Sequence, residues 1–314
     1  MKKLFLAIAL LAIVSSGYGC SICGCGGGNL YMGLFPDFKS RFMGIRYSYS
    51  EFHTSLLNNP QQFSHNFYNS AEIWSGINIG RKWQLLTFLP YYYNIQRDDD
   101  MGTTHKSGIG DITLLANYKI FDTRYLKNQS YKASQQIWIG GGIKLPTGSF
   151  NINVTDMNTT LADINAQIGT GSIDFFLTAR HDIQIDNFGI NTIANYKIST
   201  PNQQHYQYGN KLTLNSIAYY RINRKKITFV PNAGIAFENI EGNKLNGNKI
   251  ILSDGLNTGS YATGGYLFTA LTGMEITIQN ITIGANIQFP LAQKFAAGQT
   301  TLSMQGMVHL SFAL

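Results

Sequence analysis

Charge is scarce in this chain. Asp, Glu, Lys and Arg make up 13% of its residues, where a soluble globule usually carries about 25%. The gap is filled by Asn, Gln, Ser, Thr, Tyr and 32 Gly, so that mean hydropathy stays at −0.08. The formal charge of +7, or +5 without the first nineteen residues, is too modest to imply a nucleic-acid partner. Disorder is excluded, because 44% hydrophobic and 13% aromatic residues can bury a large surface. Beyond the N-terminal region no stretch offers the ~20 consecutive apolar residues of a transmembrane helix, so a membrane role has to use strands. Cysteine is absent after position 25.

The first residues point to export. Lys2 and Lys3 precede an apolar run from Leu4 to Val14, followed by Ser15, Ser16, Gly17, Tyr18 and Gly19. That order is the pattern of a secretory signal peptide, and the run is too short to cross a bilayer of roughly 30 Å. Residues 1–19 are therefore expected to be a leader, 20–38 a Cys/Gly-rich periplasmic arm and 39–314 the working domain.

From about Arg41 onward one theme recurs: a segment in which apolar residues alternate with polar or small ones, then a turn. The period is 2, which is that of strands. Ile112, Leu114, Ala116, Tyr118 and Ile120 share one face, with Asp111, Thr113, Asn117 and Lys119 on the other. Phe188 to Ile198 and Ile281 to Phe289 repeat the pattern. About twelve such segments follow, near 40–53, 67–80, 82–96, 108–121, 134–145, 170–183, 187–199, 210–222, 226–238, 262–277, 280–291 and 301–314. Their connections alternate between tight turns, as at Arg81, Asp186-Asn187, Asn223 to Lys225 and Gln279-Asn280, and longer polar loops. Short turns alternating with long loops are the rhythm of an outer-membrane barrel.

The physical reason is that hydrocarbon offers no water to backbone amides, so a sheet spans it only by closing on itself. The expected fold is all-β: a transmembrane antiparallel β-barrel of about twelve strands, with turns and both termini in the periplasm and loops outside. Its surroundings are outer-membrane lipid. Tyr47 and Tyr49, Tyr91 to Tyr93, and Tyr219 and Tyr220 suit interfacial aromatic girdles; ordinary strand propensity also accounts for them. A soluble β-sandwich or β-helix explains the alternation but not the long strands and paired connection lengths.

Two Gly-rich runs stand out: Gly108-Ile109-Gly110-Asp111, and Gly140-Gly141-Gly142-Ile143-Lys144-Leu145-Pro146-Thr147-Gly148. In these the chain resembles the outer-membrane family named for the MetA pathway of phenol degradation. The resemblance implies a barrel transporter for small, often aromatic or apolar, compounds. By alternation Gly140 and Gly142 share the face of Trp138 and Lys144, where they either leave space in the lumen or relieve sheet curvature.

Alternation also assigns a lumen lining. The candidate solute path comprises Arg46, Glu72, Trp74, Asp111, Lys119, Trp138, Lys144, Asp174, Arg180, Lys197 and Arg221. The signs are mixed, which predicts ion pairs across the interior rather than a strong charge preference. Cys20, Cys23 and Cys25 are close enough in sequence to hold a soft metal ion such as Cu(I) or Zn; a disulfide with one spare thiol, or lipidation of Cys20, are the competing readings. His53, His65, His105 and His205 fall at or in the expected outer loops, where with Asp98 to Asp100 they form a weak metal pattern or a solvated surface. His309 and Ser311 have the His-x-Ser spacing of outer-membrane phospholipases, although the residues that follow do not match that family. The function expected is therefore passive passage of a small apolar, aromatic or metal-related solute by a non-enzyme. The alternatives are a structural or metal-binding barrel, and a phospholipase.

Overall fold

Alternation fixes the side on which each residue emerges, and the paired strands obey it except at a few register shifts, as at Lys119–Phe121 and Phe268–Thr269. The computed structural model describes residues 41–55, 63–98, 102–123, 133–151, 167–250 and 263–314. The expected leader and arm, with the three cysteines, lie outside these. Among the described residues twelve barrel strands follow in order. The first three are β1 Arg41–Ser55, β2 Phe63–Ile79 and β3 Trp83–Asp98; β4 runs in two parts, Gly102–Ile109 and Ile112–Asp122. Then come β5 Ala133–Leu145, β6 Asp174–Ile185, β7 Phe188–Ile198 and β8 Lys211–Tyr220, which continues past Arg221 as Ile222–Arg224. The ring ends with β9 Ile227–Ile240, β10 Gly265–Ile278, β11 Ile281–Phe295 and β12 Thr300–Ala313.

Each strand pairs antiparallel with its neighbours in sequence, and β1 pairs with β12 from Phe42–Ala313 to Thr54–Thr300. The ring is closed, which removes the sheet edge. The tight turns carry left-handed residues: Gly80 (φ 62°), Asp186 (51°), Lys225 (52°) and Gln279 (55°), the backbone that two-residue hairpins demand. Apart from the connection between Asp122 and Ala133, the longer connections leave from the opposite end. Residues of two of them pair into a small sheet, Tyr206–Gln207 with Lys244–Leu245 and that with Asn248–Lys249.

Apolar side chains point out. Met43, Ile45, Ile73, Ile77, Leu85, Ile139, Leu177, Ile283 and Val308 are all exposed, as a lipid-facing belt requires. The inward face is packed rather than open. Phe42, Trp74, Leu86, Phe88, Leu115, Phe176 and Ile193 form one buried cluster, and Ile217, Tyr219, Val230, Ala236, Leu271 and Met307 a second. A third, of Phe52, Ile240, Leu267, Phe295 and Leu302, sits towards the loop end.

Several sequence expectations are corrected here. Tyr92 and Tyr219 are buried on the inner face, so of those tyrosine groups the outward members Tyr47, Tyr49, Tyr91, Tyr93 and Tyr220 fit a girdle. Residues expected as a loop over 97–107 instead extend β3 to Asp98 and start β4 at Gly102; above the lipid belt polar residues can occupy both faces, which hides the alternation. His53, His65 and His105 accordingly lie on β1, β2 and β4 rather than in loops. Gly140 and Gly142 do not leave free lumen. A Cβ at Gly142 would meet Leu115, and one at Gly140 would meet Asn117 and Thr178, so both glycines let neighbouring side chains close over the wall.

Ile73 lies midway up the belt, opposite Ile45 and Leu89. Ile73→Arg is expected to cost about 2–4 kcal/mol in reversible unfolding from lipid, while Thr103→Arg, beyond the belt, costs about 0–1 kcal/mol. Equal costs would place both side chains in water.

Candidate functional site

The described parts of the 146–173 and 199–210 connections fold inward, and their anchor is a set of buried charges. Asp111 stands at the break in β4, Lys144 one residue from the end of β5, and Asp174 at the start of β6. The Lys144 ammonium lies 3.0 Å from Asp111 Oδ2 and 2.8 Å from Asp174 Oδ2, and is 1% exposed. Lys197, near the end of β7, lies 4.0 Å from the same oxygen of Asp174. Two carboxylates thus face two ammonium groups, and the buried set is neutral. Buried charge survives only when paired and hydrogen-bonded.

The remaining oxygens are used to hold loop backbone. Asp111 Oδ1 accepts the Gly148 N–H at 2.9 Å, while Oδ2 accepts the Thr170 N–H at 2.9 Å and its hydroxyl at 2.7 Å. Lys144 donates to Thr170 Oγ1 at 2.5 Å. Ser172 donates to Asp174 Oδ1 at 2.9 Å, and Thr147 donates to the Gly110 carbonyl at 2.9 Å. Gly148 and Gly169 come together so closely that a Cβ on Gly169 would strike the backbone of Gly148. Gly148 and Gly169 therefore let residues 146–151 and 167–173 meet beside Asp111.

From this latch hydrogen bonds spread to the other loops. Asn202 Nδ2 donates to the Thr170 carbonyl at 3.1 Å, and its Oδ1 accepts the Tyr206 N–H at 3.0 Å. Asn243, with no exposed surface, accepts the Gly209 N–H at 2.8 Å and donates to the Tyr206 hydroxyl at 2.5 Å. The rings of Phe150, Tyr206 and Tyr208 meet at centroid distances of 5.1–6.3 Å. An aromatic roof thus lies over the outer mouth, tied through Thr170 to the charges in the wall. The β4–β5 ladder ends at Ile112–Leu145, so above that level Gly102–Ile109 is hydrogen-bonded to β3 and is faced on the inside by Ile168.

All eleven lumen candidates project inward, but they belong to separate groups. Asp111, Lys144, Asp174 and Lys197 form the latch. Arg46 is ion-paired with Glu72 across β1 and β2, and its guanidinium lies 5.9 Å from the Phe88 ring. Trp74 packs edge-on against Phe42 at 4.8 Å. Towards the turn end, Trp138 is flanked by Lys119 at 4.6 Å and Arg180 at 4.8 Å, and Lys119 also pairs with Asp122 at 2.9 Å. Arg221 sits 5.4 Å over Tyr219. Sequence reasoning missed the role of Thr170 and Ser172, which it assigned to the start of the 170–183 strand. The uncharged, Gly-rich stretch Gln167 to Ser172 was the available signal.

His309 and Ser311 do share a face, with Ser311 Oγ 3.5 Å from His309 Nδ1 and Glu275 3.7 Å from His309 Nε2. Ser311 has no exposed surface and faces inward. A lipid ester on the outside cannot reach it, so this geometry gives acyl transfer no access. Among the described residues no group of three or more His, Cys, Asp or Glu is placed to hold a metal ion.

Residues 47–291 match a family described as putative MetA-pathway of phenol degradation. The COG4313 outer membrane channel from Pseudomonas putida F1 is similar in structure, with a TM-score of 0.60 at 10% identity, covering 96% of this chain and 98% of that one. The β domain of the Bordetella autotransporter BrkA gives a TM-score of 0.50 at 8% identity, over 88% of this chain and 100% of that one. At such identities the likeness establishes the fold, an outer-membrane barrel. No curated protein matches the chain.

Lys144→Met leaves Asp111 and Asp174 buried together without their shared cation. Denaturant unfolding of the variant in detergent micelles is expected to show a loss of about 3–5 kcal/mol, and adding Asp111→Asn and Asp174→Asn should restore most of it. A loss well under 1 kcal/mol would mean that the cluster is solvated.

Proposed function

The chain belongs to the MetA-pathway phenol-degradation family, and from that membership and the form of its interior we propose passive passage of small apolar or aromatic solutes across the outer membrane. The observation that carries this reading is the packed inner wall, in which aromatic and aliphatic clusters alternate with buried asparagine, glutamine, threonine and ion-paired side chains. An open water-filled pore leaves its lining accessible to solvent, whereas here Phe42, Trp74, Phe88, Phe176 and Tyr219 are all under 9% exposed. Such a wall excludes hydrated ions and sugars, because desolvating them in contact with rings is not compensated. An apolar solute loses nothing on entering it, and can exchange contacts with the side chains it displaces.

The latch supplies control. Asp111 holds the 146–173 connection inward through backbone hydrogen bonds, so the roof opens only when these are exchanged for water or for an alternative set. The adjoining wall above the Ile112–Leu145 pair is closed by packing rather than by a ladder, which makes it the part of the ring that separates at least cost. The aromatic cluster behind it receives the solute.

A phospholipid bilayer alone passes apolar compounds, so the test needs an outer leaflet of lipopolysaccharide, which does not. In asymmetric vesicles of that composition the barrel is expected to accelerate influx of a monocyclic phenol and to leave sugar influx near the protein-free rate. Fast sugar influx would identify an open porin instead. Equal phenol influx with and without protein would support a barrel whose role is structural.

A further inference from the structure

The outer surface of β1–β4 carries a feature that solute passage does not use. Along these strands the lipid-facing belt ends at a girdle that includes Tyr49 and Tyr93, both facing outward. Two residues further up, Phe67 and His105 face outward. Two further still, His53, His65 and Arg97 stand side by side, since His53 pairs with His65 and His65 with Arg97 in the ladders. The sequence placed these histidines at or in the expected outer loops, His53 and His65 at one and His105 in another. Strand register instead gathers them on one rigid face.

The side chains are arranged by one another. The Arg97 guanidinium lies 5.1 Å from the centroid of Phe67, and the His65 ring stacks on Phe67 at 6.4 Å with an interplanar angle of 14°. The His53 and His65 rings are 4.7 Å apart, and His105 stacks on Tyr93 at 6.0 Å. Held this way, the guanidinium and imidazoles lose little rotamer freedom when they engage a ligand. Glu51 lies one step below His53 and accepts the Tyr49 hydroxyl at 3.1 Å, so it is drawn towards the girdle.

Height above the belt identifies the partner. Four residues beyond Tyr93, at a rise of ~3.3 Å and a tilt of ~40°, place Arg97 about 10 Å above the aromatic girdle. That is the level of the lipid headgroups on the loop side, and a cationic, aromatic-backed surface there meets phosphate before anything else. Arg97 can take two phosphate oxygens in a forked geometry, with imidazole N–H groups adding further donors. A face that served only for solubility would have no reason to stack its cations on rings just above the acyl boundary. We propose that the outer rim of β1–β4, through His53, His65 and Arg97, binds the phosphate-bearing headgroup of an outer-leaflet glycolipid. The site lies outside the barrel and is independent of what passes through it.

The test uses the refolded barrel in detergent with diphosphorylated lipid A as probe, the same lipid stripped of phosphate as comparator, and native mass spectrometry to count lipid per barrel. Wild type should retain the phosphorylated lipid at least about fivefold better than the stripped one. The triple variant His53→Gln, His65→Gln and Arg97→Gln should lose that preference while keeping the heat-modifiable migration of a folded barrel. Arg224→Gln, at the opposite end, should behave as wild type. Equal retention of both lipids by the wild type, an unchanged preference in the triple variant, or displacement of the lipid by inorganic phosphate alone would each overturn the proposal. Phenol influx through the triple variant should be normal, so a failure here is separable from a failure of the transport reading.

Discussion

Every backbone amide that crosses hydrocarbon has to find its partner in a neighbouring strand, because nothing in the lipid will accept it. The pairing of β1 with β12 completes the ring of ladders that meets that requirement, and the rest of the molecule follows from it. Once the ring is shut, side chains have two destinations. Outward positions must be apolar, and inward positions must pack or pair with one another. The low charge content of the chain is the compositional trace of this division, since one residue in two along each strand faces lipid and the inner ones can carry charge only in compensated groups.

The inner groups show how that compensation is arranged. Arg46 meets Glu72, Lys211 meets Glu238 at 2.8 Å, and Lys144 lies between Asp111 and Asp174. In the last case the pairing also organises the loops, because the carboxylates have lone pairs left over after Lys144 and spend them on loop N–H groups. One neutral cluster therefore links the wall, the inward connection and the aromatic roof. The interior of this barrel is a side-chain core in which apolar clusters and paired polar groups share the inner face.

Much of this could be read from the chain because period-2 alternation is a direct consequence of the pleat. The strands, the tight turns and the inward direction of all eleven lumen candidates follow from it. Alternation fails where the chemical contrast between the two faces disappears. Above the lipid belt Gly102–Ile109 has threonine, serine, histidine and lysine on both sides, so a strand there looks like a loop. The inward fold of Gln167 to Ser172 was invisible for a different reason: it depends on contacts with Asp111, more than fifty residues away, and no local pattern encodes those. Likewise Gly140 and Gly142 could be placed on the inner face, but not the Leu115 and Thr178 side chains that cover them.

The chain's three tryptophans allow the division between lipid and interior to be measured directly. Trp83 faces outward at 49% exposure, whereas Trp74 is inward at 4%. Variants retaining one or the other, with phenylalanine at the remaining tryptophan positions, can be refolded into bilayers of brominated lipid and their fluorescence recorded. Strong quenching of Trp83 with Trp74 nearly untouched is the result this account predicts. Quenching of Trp74 as strong as that of Trp83, or none of either, would contradict it.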